Sequence, residues 1–130
     1  MKITILFILL LVTMMGYAQD SIKQIANHPE LERIAENIAR EYNKQLSMRE
    51  KQLLLFEDKL VEYMIEEQKV RTSNLKIREK ISILKYNYNV ETSDMADILT
   101  RTQHVLYKKM KPELQPVEPV MVKQASLSDN

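Results

Sequence analysis

The chain has 130 residues with no cysteine, no tryptophan, one glycine, and 19 Lys plus Arg against 18 Asp plus Glu. Without cysteine there is no disulfide framework, no thiolate metal centre and no lipid-modified cysteine, and the near-zero net charge argues against general nucleic-acid binding, which needs a basic excess to neutralise phosphates. The single glycine disfavours β-rich folds and phosphate-cradling loops, both of which draw on glycine for positive φ.

Residues 1–18 have the layout of a secretory signal peptide. Met1 and Lys2 supply a positive start, Ile3 to Met15 form an apolar run interrupted only by Thr4 and Thr13, and Gly16-Tyr17-Ala18 puts small residues at the positions that precede a cut before Gln19. The run is too short to cross about 30 Å of hydrocarbon. Cleavage is expected to release 112 residues that contain no glycine and 18 charges of each sign, and to place them in the periplasm. Leu, Ile, Glu, Lys, Gln, Met and Arg dominate what remains, and these are strong helix formers. The expected fold is all-α: four main amphipathic helices in an antiparallel hairpin or bundle. A core this thin often gains stability by oligomerising.

In chain order, Ser21 can cap a short helix from Ile22 to Asn27, and Pro29 restarts the chain in the first-turn position that proline tolerates, with His28 at the joint. Leu31, Ile34, Ala35, Ile38, Tyr42 and Leu46 then repeat at three- and four-residue spacing, which predicts an amphipathic helix over 30–45. Ser47-Met48-Arg49-Glu50 fits a capping box and predicts a new helix from there. Its seam is Leu53, Phe56, Leu60, Tyr63, Glu67 and Val70, with Leu54 and Leu55 widening the apolar face and Glu57, Asp58, Glu62 and Glu66 elsewhere.

Thr72-Ser73-Asn74 ends that helix and caps a third, with Ile77, Ile81, Leu84 and Tyr88 inward and Lys76, Arg78, Lys80 and Lys85 outward. Packed antiparallel, the third helix sets its basic side against the acidic side of the second, a match that selects orientation more than it stabilises. Asparagines and β-branched residues in 87–92 read as a connection. A last helical region begins at Ser93 and Asp94, with Met95, Ile98, Leu99, Thr102, Leu106 and Met110 inward, and Pro112 stops it. The helical domain is thus 19–111. Residues 112–130, with Pro112, Pro116 and Pro119, form a tail expected to be extended or disordered, from which Val117, Val120, Met121 and Val122 can dock on a neighbour.

Within the last region, Leu99-Thr100-Arg101-Thr102-Gln103 is a second capping box, Thr100 with Gln103. It allows either an unbroken helix from about Ser93 to Lys111 or a bend at Thr100, and the capping chemistry favours the bend. This Leu-Thr-x-x-Gln string resembles the signature of the LTXXQ-motif family of small periplasmic helical proteins, the Spy/CpxP-like proteins. Leu46-Ser47-Met48-Arg49-Glu50 is taken as a degenerate first copy, with serine for threonine and glutamate for glutamine. The resemblance covers roughly residues 30–111. It implies a homodimer shaped as a curved cradle and an ATP-independent chaperone that binds unfolded or aggregation-prone envelope proteins. It leaves open a regulatory or structural partner of one specific envelope protein, or a metal-responsive envelope-stress protein.

A chaperone of this kind needs exposed apolar surface rimmed with charge, and flexible methionines adapt to varied clients. The candidate client-binding residues are Met48, Leu54, Leu55, Phe56, Met64, Met95 and Met110, with Lys108, Lys109 and Lys111 adding charge. The competing reading is that helical spacing buries these side chains in a core or dimer seam. The motif and cap residues are Leu46, Ser47, Glu50, Leu99, Thr100 and Gln103. His28 and His104 lack ligand-like neighbours at helical spacing, so both are read as surface residues, and no metal or other cofactor is expected. No activated nucleophile or phosphate loop stands out, so the chain reads as a binder and not an enzyme. The run 108–111 can touch lipid headgroups, but basic residues at a helix end more often complement the helix dipole.

Overall fold

Pro29 opens the first helix, where its missing N–H would have had no partner. The computed structural model describes residues 28–117. The expected signal peptide, the short helix over 22–27 and the tail residues 118–130 lie outside the described residues. Among the described residues four α-helices follow one another: α1 (Pro29–Leu46), α2 (Glu50–Thr72), α3 (Ile77–Asp94) and α4 (Arg101–Leu114). A 3-10 turn, Met95–Asp97, joins α3 to α4. The all-α fold expected from composition is the one observed. No helix among the described residues is long and apolar enough to cross a membrane.

α1 packs on both α2 and α4, and α3 packs on α2. Short connections make the α1–α2 and α2–α3 pairs antiparallel. α3 and α4 meet through side chains: His104 reaches Thr92, and further along Lys111 reaches Tyr88. The result is an antiparallel four-helix arrangement whose core joins Ala35, Ala39, Tyr42 and Leu46 of α1 to Phe56, Leu60, Val61 and Ile65 of α2 and to Met95, Leu99 and Tyr107. Ala35 and Ala39 are one turn apart and fully buried, and their small side chains leave room at the centre for the rings of Tyr42, Phe56 and Tyr107. Those rings sit 5.2 to 5.7 Å apart in edge and tilted contacts, each worth about 0.5–1.5 kcal/mol beyond the area buried.

Several local expectations are corrected. α3 runs unbroken through 87–92, because Leu84 and Glu91 anchor its inner face and Tyr88 packs beside them. Pro112 does not stop α4, which continues to Leu114. Proline cannot donate to the carbonyl four residues back, but the turn is held by Gln115 donating to Lys111 O at 2.8 Å. Thr102 is exposed, and Tyr107 and Lys111 point inward instead. The bend at Thr100 restarts the helical phase, so positions counted from Met95 no longer predict the buried face of α4. Ile34 is 37% exposed, and Ala39, Val61 and Ile65 take core positions. The basic side of α3 forms no salt bridge with α2 among the described residues: Lys59, Lys69 and Arg71 pair with Glu62, Glu66 and Glu67 of their own helix, and Lys80 donates to Arg71 O.

Candidate functional site

Two helix starts meet at one end of the bundle. Thr100 caps α4: its Oγ1 accepts from Gln103 N–H at 3.3 Å, and Gln103 Oε1 accepts from Thr100 N–H at 2.9 Å. The start of α2 differs from the expected Ser47–Glu50 box. Ser47 ends α1 in the left-handed region at φ 50°, where Asn43 holds the reversal by accepting from Ser47 N–H through its backbone and from Met48 N–H through its side chain. The cap of α2 is Arg49, whose N–H donates to Gln52 Oε1 at 3.0 Å. The first corner is therefore Met48-Arg49-Glu50-Lys51-Gln52, two residues later than Leu46–Glu50. It has the same form as Leu99–Gln103: a buried apolar residue, a cap, two spacers and a glutamine.

The two glutamines bind each other. Gln52 Nε2 donates to Gln103 Oε1 at 3.0 Å and to Ile98 O at 3.1 Å, and Gln103 Nε2 donates to Leu46 O at 3.1 Å. Each glutamine caps its own helix and reaches a carbonyl of the opposite corner, so the corners lock across 51 residues of sequence. Phe56 and Tyr107, one turn further on, hold the same separation and face each other in the core.

A second polar cluster lies deeper, between α3 and α4. Lys111 is 1% exposed and Glu91 6%. Lys111 Nζ donates to Tyr88 O at 2.7 Å and Thr92 Oγ1 at 2.8 Å, lies 3.9 Å from the centre of the Tyr88 ring, and sits 3.6 Å from Glu91 Oε1. The same Glu91 oxygen accepts from Gln115 Nε2 at 2.9 Å and from Tyr107 O–H at 3.2 Å, and Gln115 in turn accepts from Tyr42 O–H at 2.8 Å. Burial pulls the Lys111 ammonium down to about 8, against the opposing attraction of Glu91. Burial also pushes the Glu91 carboxyl up, against the lowering effects of Lys111 and the hydrogen bonds to Gln115 and Tyr107. Tyr42 and Tyr107 are pushed far up, first by burial and then by the Glu91 charge.

Beside this cluster, where α4 ends, a cleft of about 190 Å³ opens among Ile38, Met64, Glu67, Leu84, Asn87, Tyr88, Glu91 and Gln115. Tyr63 forms part of its wall and donates to Asp94 Oδ2 at 2.6 Å.

The expected client-binding residues do not form one surface. Met48, Phe56 and Met95 are core residues, 8%, 0% and 0% exposed. Phe56 belongs to the aromatic triad, Met48 is the apolar residue of the first corner, and Met95 occupies the α3–α4 turn. Met64 and Met110 are half-buried against the core. Leu54 and Leu55 remain open, at 57% and 45%. Lys108 and Lys109 are exposed, but Lys111 is interior and does not rim a surface. His104 is half-buried with Nε2 2.7 Å from Thr92 O, so it is held by α3 and is not a free surface residue. Among the described residues no three His, Cys, Asp or Glu side chains cluster as metal ligands would.

Glu91, Gln52 and Gln115 escaped sequence reasoning, and Lys111 stands out in the sequence as surface charge and not as the interior residue it is. The spacing Tyr107–Lys111 continues the inward phase set by Thr100, which was the available signal for Lys111. Gln52 stands three residues after Arg49, but arginine offers no acceptor and hides the cap. Comparison of the chain with known protein families, with characterised proteins and with solved structures finds no match.

Proposed function

We propose that the mature chain is an exported, non-catalytic binding protein of the LTXXQ kind that docks on one envelope protein through a short apolar strip on α2. The resemblance draws support from the first corner: the apolar-cap-x-x-Gln form occurs twice, at Met48–Gln52 and Leu99–Gln103, and the two copies are joined by their glutamines. The observation that carries the docking reading is the pair Leu54 and Leu55, adjacent and both well exposed. Their neighbours one turn away are Glu50, Lys51, Asp58 and Lys59, so the strip is apolar at its centre and charged at both ends. Isolated exposed leucines are ordinary; an adjacent pair with a charged rim suits a small, oriented contact. With Met48, Phe56 and Met95 in the core, the extended surface that broad client holding calls for is much reduced.

A second reading, the ATP-independent chaperone, is favoured by Val105. It stands 57% exposed on α4 at the place equivalent to Leu54 on α2, giving a second apolar contact for clients that span both corners.

One experiment separates the two. The mature chain, begun at Gln19 and with a photo-crosslinking amino acid in place of Leu54, is exposed to envelope extract, and its effect on aggregation of several unrelated denatured proteins is measured without ATP. Docking on one partner gives a single stoichiometric adduct that Leu55→Lys abolishes, with aggregation unchanged. Suppression of aggregation across the set replaces the first reading by the second.

A further inference from the structure

We infer that the cleft between α2, α3 and the end of α4 is a binding site for a primary ammonium group carried on an unbranched alkyl stem. Leu84, Asn87, Tyr88 and Glu91 share one face of α3 and line the cleft together, with Asn87 and Glu91 one turn apart. Glu91 is the decisive residue. Its Oε1 is taken by Gln115, Tyr107 and Lys111, while its Oε2 accepts no hydrogen bond among the described residues. Among the described residues no buried side-chain oxygen or nitrogen is left without a partner, so Oε2 is not sealed inside the protein, and the cleft that Glu91 lines is the opening it has. An almost fully buried carboxylate thus presents one free oxygen to a small cavity. Asn87 and Tyr88 line the same cavity, and the Asn87 amide and the Tyr88 hydroxyl likewise make no hydrogen bond to the described residues.

The chemistry of these groups selects the ligand. Both ionisable carboxyls of the wall, Glu67 and Glu91, are acidic, and Asp94 stands one hydrogen bond away through Tyr63. Arg71 pairs with Glu67 and Lys111 with Glu91, so of the three only Asp94, which stands behind the wall on Tyr63, lacks a basic partner among the described residues; what the cleft itself offers an ammonium is acceptors, above all the second oxygen of Glu91. A guanidinium prefers two parallel oxygens of one carboxylate, and Glu91 has only one to give. An ammonium has three separate donors, and these suit the separate acceptors of Glu91, Asn87 and Tyr88. Ile38, Met64 and Leu84 supply apolar wall for an alkyl stem. At about 190 Å³ the cavity falls below the range typical of drug-sized ligands, and fits an alkylamine or a single lysine side chain.

The test is an NMR titration of the mature chain at neutral pH with n-butylamine, n-butanol, n-butyrate and blocked lysine (Nα-acetyl-lysine N-methylamide). n-Butylamine is expected to move the methyl resonances of Ile38, Met64 and Leu84, with butanol and butyrate at least tenfold weaker. Glu91→Gln is expected to weaken the amine at least tenfold. Because Glu91→Gln also disturbs Lys111, Asn87→Leu serves as the second variant: it leaves the ion pair intact, occupies the cleft, and is expected to lose amine binding with the fold unchanged. Blocked lysine binding as tightly as n-butylamine assigns the site to a lysine of a protein partner, and weaker binding assigns it to free amines; both outcomes uphold it. Butanol matching the amine, no shift of those methyls, or unchanged affinity in Asn87→Leu overturns it.

Discussion

Removing the glutamine of either corner tests whether the two helix starts act as one unit. Gln103→Ala deletes three hydrogen bonds of 2.9 to 3.1 Å, to Thr100 N–H, Gln52 Nε2 and Leu46 O, and a weak one from its Nε2 to Gln52 Oε1 at 3.5 Å. At about 0.5–1.5 kcal/mol net for each, the expected loss is about 3 kcal/mol. Gln52→Ala deletes its bonds to Arg49 N–H, Ile98 O and Gln103, and the same reckoning gives a similar value of about 3 kcal/mol. The Gln52–Gln103 bond appears in both sums, and each single variant leaves the surviving glutamine with an unanswered group. The double variant is therefore expected to cost less than the sum of the singles by about 1–2 kcal/mol, within the range for residues in direct contact. Urea unfolding followed by circular dichroism measures all four proteins, with the slope against denaturant held constant as the check that only stability has changed. Additivity to within about 0.3 kcal/mol would refute the idea that the corners are coupled through their glutamines.

Other outcomes follow from the caps and the buried pair. Thr100→Ala is expected to cost about 0.5–2 kcal/mol in the same unfolding assay, because the N-cap oxygen is lost, while Arg49→Thr is expected to stabilise by about 0.5–1 kcal/mol by supplying an acceptor that arginine lacks. Lys111 has a folded pKa of about 8, below its ordinary 10.5, so between those values the unfolded chain binds more protons than the folded one and stability rises with pH. The melting temperature is expected to climb from pH 8 towards pH 10, where the tyrosines of the unfolded chain begin to ionise, and Lys111→Met should remove the climb; a flat profile in the parent protein contradicts the burial of the ammonium. Lys111→Met alone is expected to cost about 3–5 kcal/mol near neutral pH by stranding Glu91, whereas Lys111→Met with Glu91→Leu should be close to neutral or stabilising, as read by thermal unfolding.

The fold was legible in the sequence wherever apolar spacing and cap chemistry agreed. Leu31, Ala35, Ile38 and Tyr42 mark α1, Leu53, Phe56 and Leu60 mark α2, and the Thr100–Gln103 box placed the bend between α3 and α4. Legibility failed where a residue acts against its type. Arg49 caps a helix without an acceptor side chain, so the first corner was read two residues early, at Ser47. Asn87 and Asn89 sit within a helix that composition alone reads as a connection, because Leu84 and Glu91 tie that helix to its neighbours. The Glu91–Lys111 pair was invisible for a related reason: charged residues are ordinarily assigned to the solvent, and only the helical phase restarted at Thr100 carries Lys111 inward. Composition also suggested methionines for a binding surface, whereas Met48 and Met95 fill the irregular space at the two corners, a task their flexible chains suit equally well.

Ser47 is the only described residue with positive φ. A chain that reverses direction three times would ordinarily use glycine for such positions, and here the residues beyond 18 contain none. Each glycine left out narrows the set of shapes open to the unfolded chain, so less conformational entropy is lost on folding. For a domain with a slender core this is a real gain, and it is reached at the expense of one left-handed serine. The economy of the fold thus lies partly in its denatured ensemble, where stiffness takes over some of the work that a larger interior would otherwise perform.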